Sequence, residues 1–240
     1  MANPDARIPI CECGEPLVPL PAEVFAFESP HPYWRLGAPY GNRSPYWLRQ
    51  SVLAGLLEAR ADLKRRYPRW TLQIFDAYRP LAVQQFMVEQ AFAAAARAQG
   101  ISPEAASPAQ REALWARVRE IWAPPSIDPA TPPPHSTGAA IDLTVVDGDG
   151  HPLDMGSAID ELSPRSRPGH YDGSPSEPGR RYAAQRQLLH EVMLAGGFRR
   201  HPREWWHFSY GDRMWAQQRQ REAPQQAWVA YYGRAESPSG

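Results

Sequence analysis

Two cysteines, Cys11 and Cys13, are all that the 240 residues contain, and they stand two apart, too close for normal disulfide geometry. A disulfide framework is therefore excluded as the source of stability, and an oxidising compartment is not implied. As half of a zinc site the pair would need ligands from elsewhere in the chain. Net charge is missing too. Twenty-six basic residues balance 26 acidic ones, so no overall field attracts nucleic acid or an anionic membrane. Lysine is almost absent, Lys64 standing alone among arginines. No apolar run approaches the roughly 20 residues of a membrane helix, and mean hydropathy is -0.56. Met1–Arg7 carry no apolar stretch behind a basic end, so no secretory signal is expected and a cytoplasmic location is the default.

The chain is rich in proline and aromatics, which punctuate it clearly. Its length suits one well-buried domain, expected over residues 23–232 between an N-terminal extension, 1–22, and a flexible tail, 233–240. A short strand is predicted at Glu23–Phe27. The aromatic loop from Pro30 to Ser44, with Tyr33, Trp34 and Tyr40, suits either a pocket wall or a cover for the core. Ser44-Pro45 opens a helix predicted to run through Leu48, Val52, Leu56 and Leu63 to Arg66. Trp70–Asp76 reads as a strand and Pro80–Ala98 as a second helix, ended by Gly100. Ser107-Pro108 with Gln110 opens a third, as far as Trp122.

Proline-dense residues 123–134 predict an extended path that delivers His135 without a helix. A strand follows at Ala139–Val146, then a long polar loop over 154–180 of the kind that covers a site. A helix from Arg181 to Ala195 and a last central strand at Trp205–Tyr210 complete the pattern. Together these elements predict an α+β fold, with a small, mainly antiparallel sheet and helices packed on its outer face.

Three segments carry chemistry. His135 and Asp142 offer an imidazole and a carboxylate, both suited to zinc. They are seven apart, so an unbroken strand would point them to opposite faces, and Gly138 is where the chain can bend. Glu204-Trp205-Trp206-His207 would supply a third ligand, His207, leaving a fourth position for water, as in catalytic zinc sites. Glu204 is then placed to take that water's proton. Asp76-Ala77-Tyr78-Arg79-Pro80 brings a cation that either stabilises an oxyanion or simply pairs with Asp76. His31, His151, His170, His190 and His201 have no partner at ligand spacing and are expected to be surface or structural residues.

Taken together, His135-x-x-Gly138-x-Ala140-x-Asp142, Glu204-x-Trp206-His207 and Asp76-x-Tyr78-Arg79-Pro80 resemble the motifs of the D-alanyl-D-alanine dipeptidases. Those belong to the zinc peptidase group that also holds the D-alanyl-D-alanine carboxypeptidases and hedgehog-type domains. The resemblance runs from about Trp47 to Trp215. It implies one Zn2+ per chain on His135, Asp142 and His207, with Glu204 as catalytic base and Arg79 as the transition-state cation. Met155–Leu162 resembles the family segment that follows the metal strand, which implies that Asp160 holds the substrate's ammonium group. The implied activity is hydrolysis of a short D,D-dipeptide in bacterial cell-wall precursor metabolism. A carboxypeptidase acting on longer wall peptides and a non-catalytic, zinc-stabilised binding module are the alternatives. One position departs from the pattern: Pro133 stands where the family commonly has a small hydroxyl residue, and it can donate no hydrogen bond.

Overall fold

The computed structural model describes residues 8–235. Two sheets and six α-helices make up a mixed α+β fold. The strands are β1 (Leu17–Pro19), β2 (Ala26–Phe27), β3 (Trp47–Arg49), β4 (Thr71–Asp76), β5 (Ala140–Val146), β6 (Arg199–Arg200) and β7 (His207–Ser209). The helices are α1 (Pro32–Arg35), α2 (Gln50–Arg66), α3 (Leu81–Arg97), α4 (Pro108–Val118), α5 (Glu177–Ala195) and α6 (Arg213–Glu222). The main sheet has the order β2-β4-β5-β7-β6 and is antiparallel except where β2 runs parallel to β4. β1 and β3 form a separate antiparallel ribbon.

β5 is buried along its whole length, and its alternation sorts two chemistries. Ile141, Leu143 and Val145 join Leu72 and Ile74 of β4, Val52, Leu56 and Leu63 of α2, and Leu189 and Val192 of α5 in the main core. Asp142 and Thr144 face the other way. On β4, strict alternation would send Asp76 into that core with Leu72 and Ile74. A register shift between Ile74 and Asp76 turns it over, so that Asp76 pairs with Asp142. Asp142 pairs in turn with His207 of β7. Three polar residues thus form one row across three adjacent strands, placed there by register.

The helices are divided between two cores. α2 and α5 pack on the Ile141 face, whereas α3 and α4 form a second cluster with Tyr33, Tyr40 and Trp122. The expectation of helices on a single outer face is corrected accordingly. α4 carries the predicted capping box, Ser107 with Gln110, but ends at Val118, short of Trp122. α2 begins at Gln50, not at Ser44-Pro45: the Ser44 hydroxyl accepts from the Tyr46 amide in a turn, and Trp47–Arg49 are used by pairing with β1. The strand predicted at Glu23–Phe27 shrinks to two residues because Val24 turns back to bond the Pro21 carbonyl. α5 starts earlier than predicted, at Glu177, with Ser176 accepting from the Gly179 amide.

Both ends of the described chain are fastened. The Cys11 amide donates to the Ala230 carbonyl, and the Gly233 amide donates to Glu12. The tail expected to be loose from residue 233 is held as far as Ala235, whose amide donates to the Ser136 carbonyl. Residues 1–7 and 236–240 lie outside the described residues. Cys11 and Cys13 are free and exposed, and no metal-ligand group among the described residues includes them. No described helix is long and apolar enough to cross a membrane.

Candidate metal centre and active site

His135 arrives in a 3-10 turn, Pro134–Thr137, where the sequence predicted an extended approach. The turn ends at Gly138, whose φ of 71° is left-handed. A β-carbon there would also lie 2.3 Å from Leu17 Cδ2, so glycine is required twice over. This bend reconciles the odd spacing and brings His135 beside Asp142.

His135 Nε2 lies 3.2 Å from His207 Nδ1 and 3.2 Å from Asp142 Oδ2, while His207 Nδ1 lies 3.0 Å from Asp142 Oδ1. All three residues are buried. The outer nitrogens fix the tautomers. His135 Nδ1 donates to the Ala77 carbonyl at 2.7 Å, which leaves the lone pair of Nε2 facing inward. His207 Nε2 faces Ser209 Oγ at 3.5 Å, and that hydroxyl donates to Asp212. Two lone pairs and an anion therefore converge. Adjacent ligands on a tetrahedral zinc at about 2.0–2.2 Å stand about 3.3 Å apart, close to the spacing seen. The donor set fits zinc in chemistry and in span, and the outer bonds supply the orientation that such ligands need.

Without a metal, the same three groups pair with one another, and a cation bound among them would take the place of the shared proton. For Asp142, burial opposes ionisation, but the His135 and His207 imidazoles outweigh it and hold the carboxyl well below the usual carboxylate range. For His135, burial opposes the charged form and the Asp142 charge outweighs it, raising the pKa.

Arg79 pairs with Asp76 and lines the cavity. Its Nε and Nη2 donate to Asp76 Oδ2 at 3.0 and 2.8 Å, Nη2 also to the Tyr33 hydroxyl, and Nη1 to Gln84. Four of the five N–H groups are so used, leaving one on Nη1. The guanidinium stacks on Tyr33 and Trp122 at 4.9 and 5.1 Å and stands 3.5 Å from Asp142 Oδ2. Burial works against its charge, and Tyr33, Asp76 and Asp142 more than restore it. Behind it, Asp76 Oδ1 accepts from His31 Nε2 and from the Tyr40 hydroxyl.

Glu204 follows a turn at 202–203 and is buried, with Oε2 3.7 Å from His207 Nδ1 and Oε1 3.1 Å from His201 Nδ1. Asp160 reaches the site from the long loop in a left-handed conformation, φ 66°, which aspartate tolerates better than most residues. Its carboxylate accepts from Tyr33, and burial together with the Asp142 charge pushes it up to about 8. A cavity of about 260 Å³ opens over His135, Asp142, His207, Glu204, Arg79 and Asp160. All six residues singled out from the sequence thus line one space.

Sequence reasoning missed several wall residues. By spacing alone His201 is expected to be a surface or structural residue, yet it contacts Glu204 and lines the cavity. Gln84, Trp122, Arg119 and Arg203 line it as well. The aromatic loop gives a signal in the sequence, and its Tyr33 stands behind the wall, bonded to Asp160 and Arg79. Of the rest only Gln84 lies in a helix, α3; Arg119 and Trp122 follow the end of α4, and His201 and Arg203 lie between β6 and β7, where no periodicity marks a wall.

The family described as D-ala-D-ala dipeptidase matches residues 27–226. A D-alanyl-D-alanine dipeptidase of Synechocystis sp. is 48% identical, covering 98% of this chain and 97% of that protein. One from Escherichia coli is 49% identical over 76 residues, 31% of this chain and 36% of its own. Among solved structures, a mutant of the vancomycin-resistance D,D-pentapeptidase VanY in complex with Zn(II) covers 77% of this chain and 82% of that one, at 17% identity and a TM-score of 0.43. A match through most of the chain, and a relative nearly half identical from end to end, make this protein a member of the D-ala-D-ala dipeptidase family.

Proposed function

We propose that the protein is a cytoplasmic zinc peptidase that hydrolyses D-alanyl-D-alanine or a similar short D,D-dipeptide, with the metal on His135, Asp142 and His207. The observation that carries this is the convergence of two imidazole lone pairs and a carboxylate beside a buried glutamate and a buried arginine. Bound zinc supplies a Lewis acid and lowers the pKa of water. Every other role falls to side chains. Glu204 takes the proton of the attacking water and returns it to the leaving amine. The free Nη1 proton of Arg79 meets the oxygen that becomes negative as the carbonyl turns tetrahedral, and the Asp76 pair keeps that guanidinium in place without reorganisation.

Asp160 with Tyr33 receives the substrate's ammonium group. In the free protein the carboxyl binds a proton readily, and an ammonium ion brings the positive charge that favours its ionised form. The cavity, about 260 Å³, lies below the roughly 300–1,000 Å³ of drug-sized pockets, as a dipeptide requires. An adjoining groove of about 640 Å³, which meets the cavity at Ile121 and Arg203, favours the second reading, a carboxypeptidase on longer wall peptides. Asp160 separates the two, since a longer peptide has an uncharged amide where the dipeptide has an ammonium. A purely structural zinc site would need neither Glu204 nor Arg79.

The test is hydrolysis of D-alanyl-D-alanine by zinc-loaded protein, compared with its N-acetylated form and with longer peptides ending in the same two residues. Rapid turnover of the free dipeptide alone is expected, with Glu204→Gln reducing kcat by at least about a hundredfold at unchanged zinc content. Undiminished turnover in that variant would remove Glu204 from the chemistry.

A further inference from the structure

Two guanidinium groups in the cavity have no part in the reaction as described. Arg119, one residue past α4, and Arg203, next to Glu204 in the chain, both line it and are both exposed, which places them at its rim. Neither forms an ion pair with any described residue. The bond that joins them runs from Arg203 Nη2 to the Arg119 carbonyl at 3.5 Å, cation to backbone. Arg79, by contrast, is neutralised by Asp76, and apart from three histidines the remaining ionisable groups of the cavity, Asp142, Asp160 and Glu204, are acids. Positive charge also continues outward: the adjoining groove adds Arg117 and Arg167 against one acid, Glu120.

We infer that Arg203, with Arg119 beside it, receives the terminal carboxylate of the substrate and so selects peptides that end in a free acid. The inference rests on the peptidase reading and follows from bond connectivity. In the leaving amino acid, one carbon separates the amine nitrogen from the carboxylate. Wherever Glu204 delivers a proton to that nitrogen, the carboxylate is therefore close by, and Arg203, the neighbour of Glu204 in the chain and a lining residue of the same cavity, is a cation with no acid partner of its own. Across the scissile bond, one carbon separates the ammonium from the carbonyl. Its receptor, Asp160 with Tyr33, is accordingly hydrogen-bonded to Arg79, which faces the carbonyl oxygen. A zwitterion meets one cavity that holds an acid joined to Arg79 through Tyr33 and two arginines without acid partners at the rim. The planar fork of arginine suits a carboxylate in two-point contact. It also supplies donors that Pro133, having no N–H, does not.

The test compares D-alanyl-D-alanine with D-alanyl-D-alaninamide, which differs only in the terminal charge. The wild-type protein is expected to favour the acid by at least about tenfold in kcat/KM. In the Arg119→Gln/Arg203→Gln double variant that preference should shrink to within about threefold, chiefly through a higher KM for the acid, with zinc content unchanged. Arg119→Lys/Arg203→Lys should restore much of it, which loss of fold would not allow. A double glutamine variant that keeps the wild-type acid-to-amide ratio overturns the assignment while leaving the peptidase reading intact. A wild-type protein that cleaves neither compound overturns both.

Discussion

Replacing Asp76 by asparagine tests whether the buried network behind Arg79 is structural support of the strength its geometry implies. Asp76 is fully buried and accepts four hydrogen bonds, two from Arg79 and one each from His31 and Tyr40. An asparagine of the same shape keeps one acceptor oxygen and turns an NH2 group toward neighbours that are themselves donors. The Arg79 guanidinium is then left buried, with Asp142 at 3.5 Å as its remaining acid. Breaking a buried ion pair from one side costs about 3–5 kcal/mol. At roughly 2–4 °C per kcal/mol for a chain of this size, Tm should fall by about 6–20 °C.

Asp149→Asn is the control. That residue pairs with Arg69 on the surface, the two side chains 67% and 74% exposed, and its loss should cost under about 1 kcal/mol. Thermal unfolding of metal-free protein at neutral pH measures both, since bound metal would add its own stabilisation. The pH dependence adds a sign. Burial opposes the Asp76 charge, and Arg79, His31 and His135 outweigh it, so the folded pKa is lowered. Its stabilisation is present above the ordinary carboxylate range and is lost as pH falls through the lowered value, so the gap between wild type and variant should narrow in acid. If Asp76→Asn shifts Tm no more than Asp149→Asn does, the network does not hold Arg79 in place.

Three further outcomes follow from the same geometry. Gly138→Ala should destabilise by about 1–2 kcal/mol for the left-handed backbone alone, and by more because of the contact with Leu17 Cδ2 at 2.3 Å. Adding Leu17→Ala should recover only the contact part in a denaturant titration. In metal-free protein, the Asp160 carboxyl is raised from 3.8 to about 8, so it favours the fold at low pH and that contribution is lost as pH rises through about 8. Asp160→Asn should flatten this decline, and an unchanged slope in the variant would assign it to another group. Asp142→Asn should weaken zinc binding by well over the ~10–100-fold typical of lost outer partners, read by competition with a chromogenic chelator. Equal affinity would mean that the metal sits elsewhere.

Much of the site could be read directly from the residues. His135, Asp142 and His207 are strong ligand types, and the need for a bend at Gly138 follows from an odd separation along a strand. Helix starts were legible where a local device marks them, as at Ser107 with Gln110. They were misplaced at Ser44, because pairing of Trp47–Arg49 with a strand thirty residues away outweighs a local cap. The 3-10 turn at His135 was hidden by prolines, which fit that conformation and an extended one equally well.

The chain by itself therefore determined which groups could bind a metal, which could move a proton, and which way each strand residue faces as long as alternation is unbroken. Tertiary structure alone decided that Asp76, Asp142 and His207 form one row, since this depends on pairing between strands far apart in sequence and on a bulge that reverses one side chain. It also decided that His201, Arg119 and Arg203 border the cavity. Periodicity registers whether a side chain is apolar and says nothing of which polar groups a fold will gather around a common space.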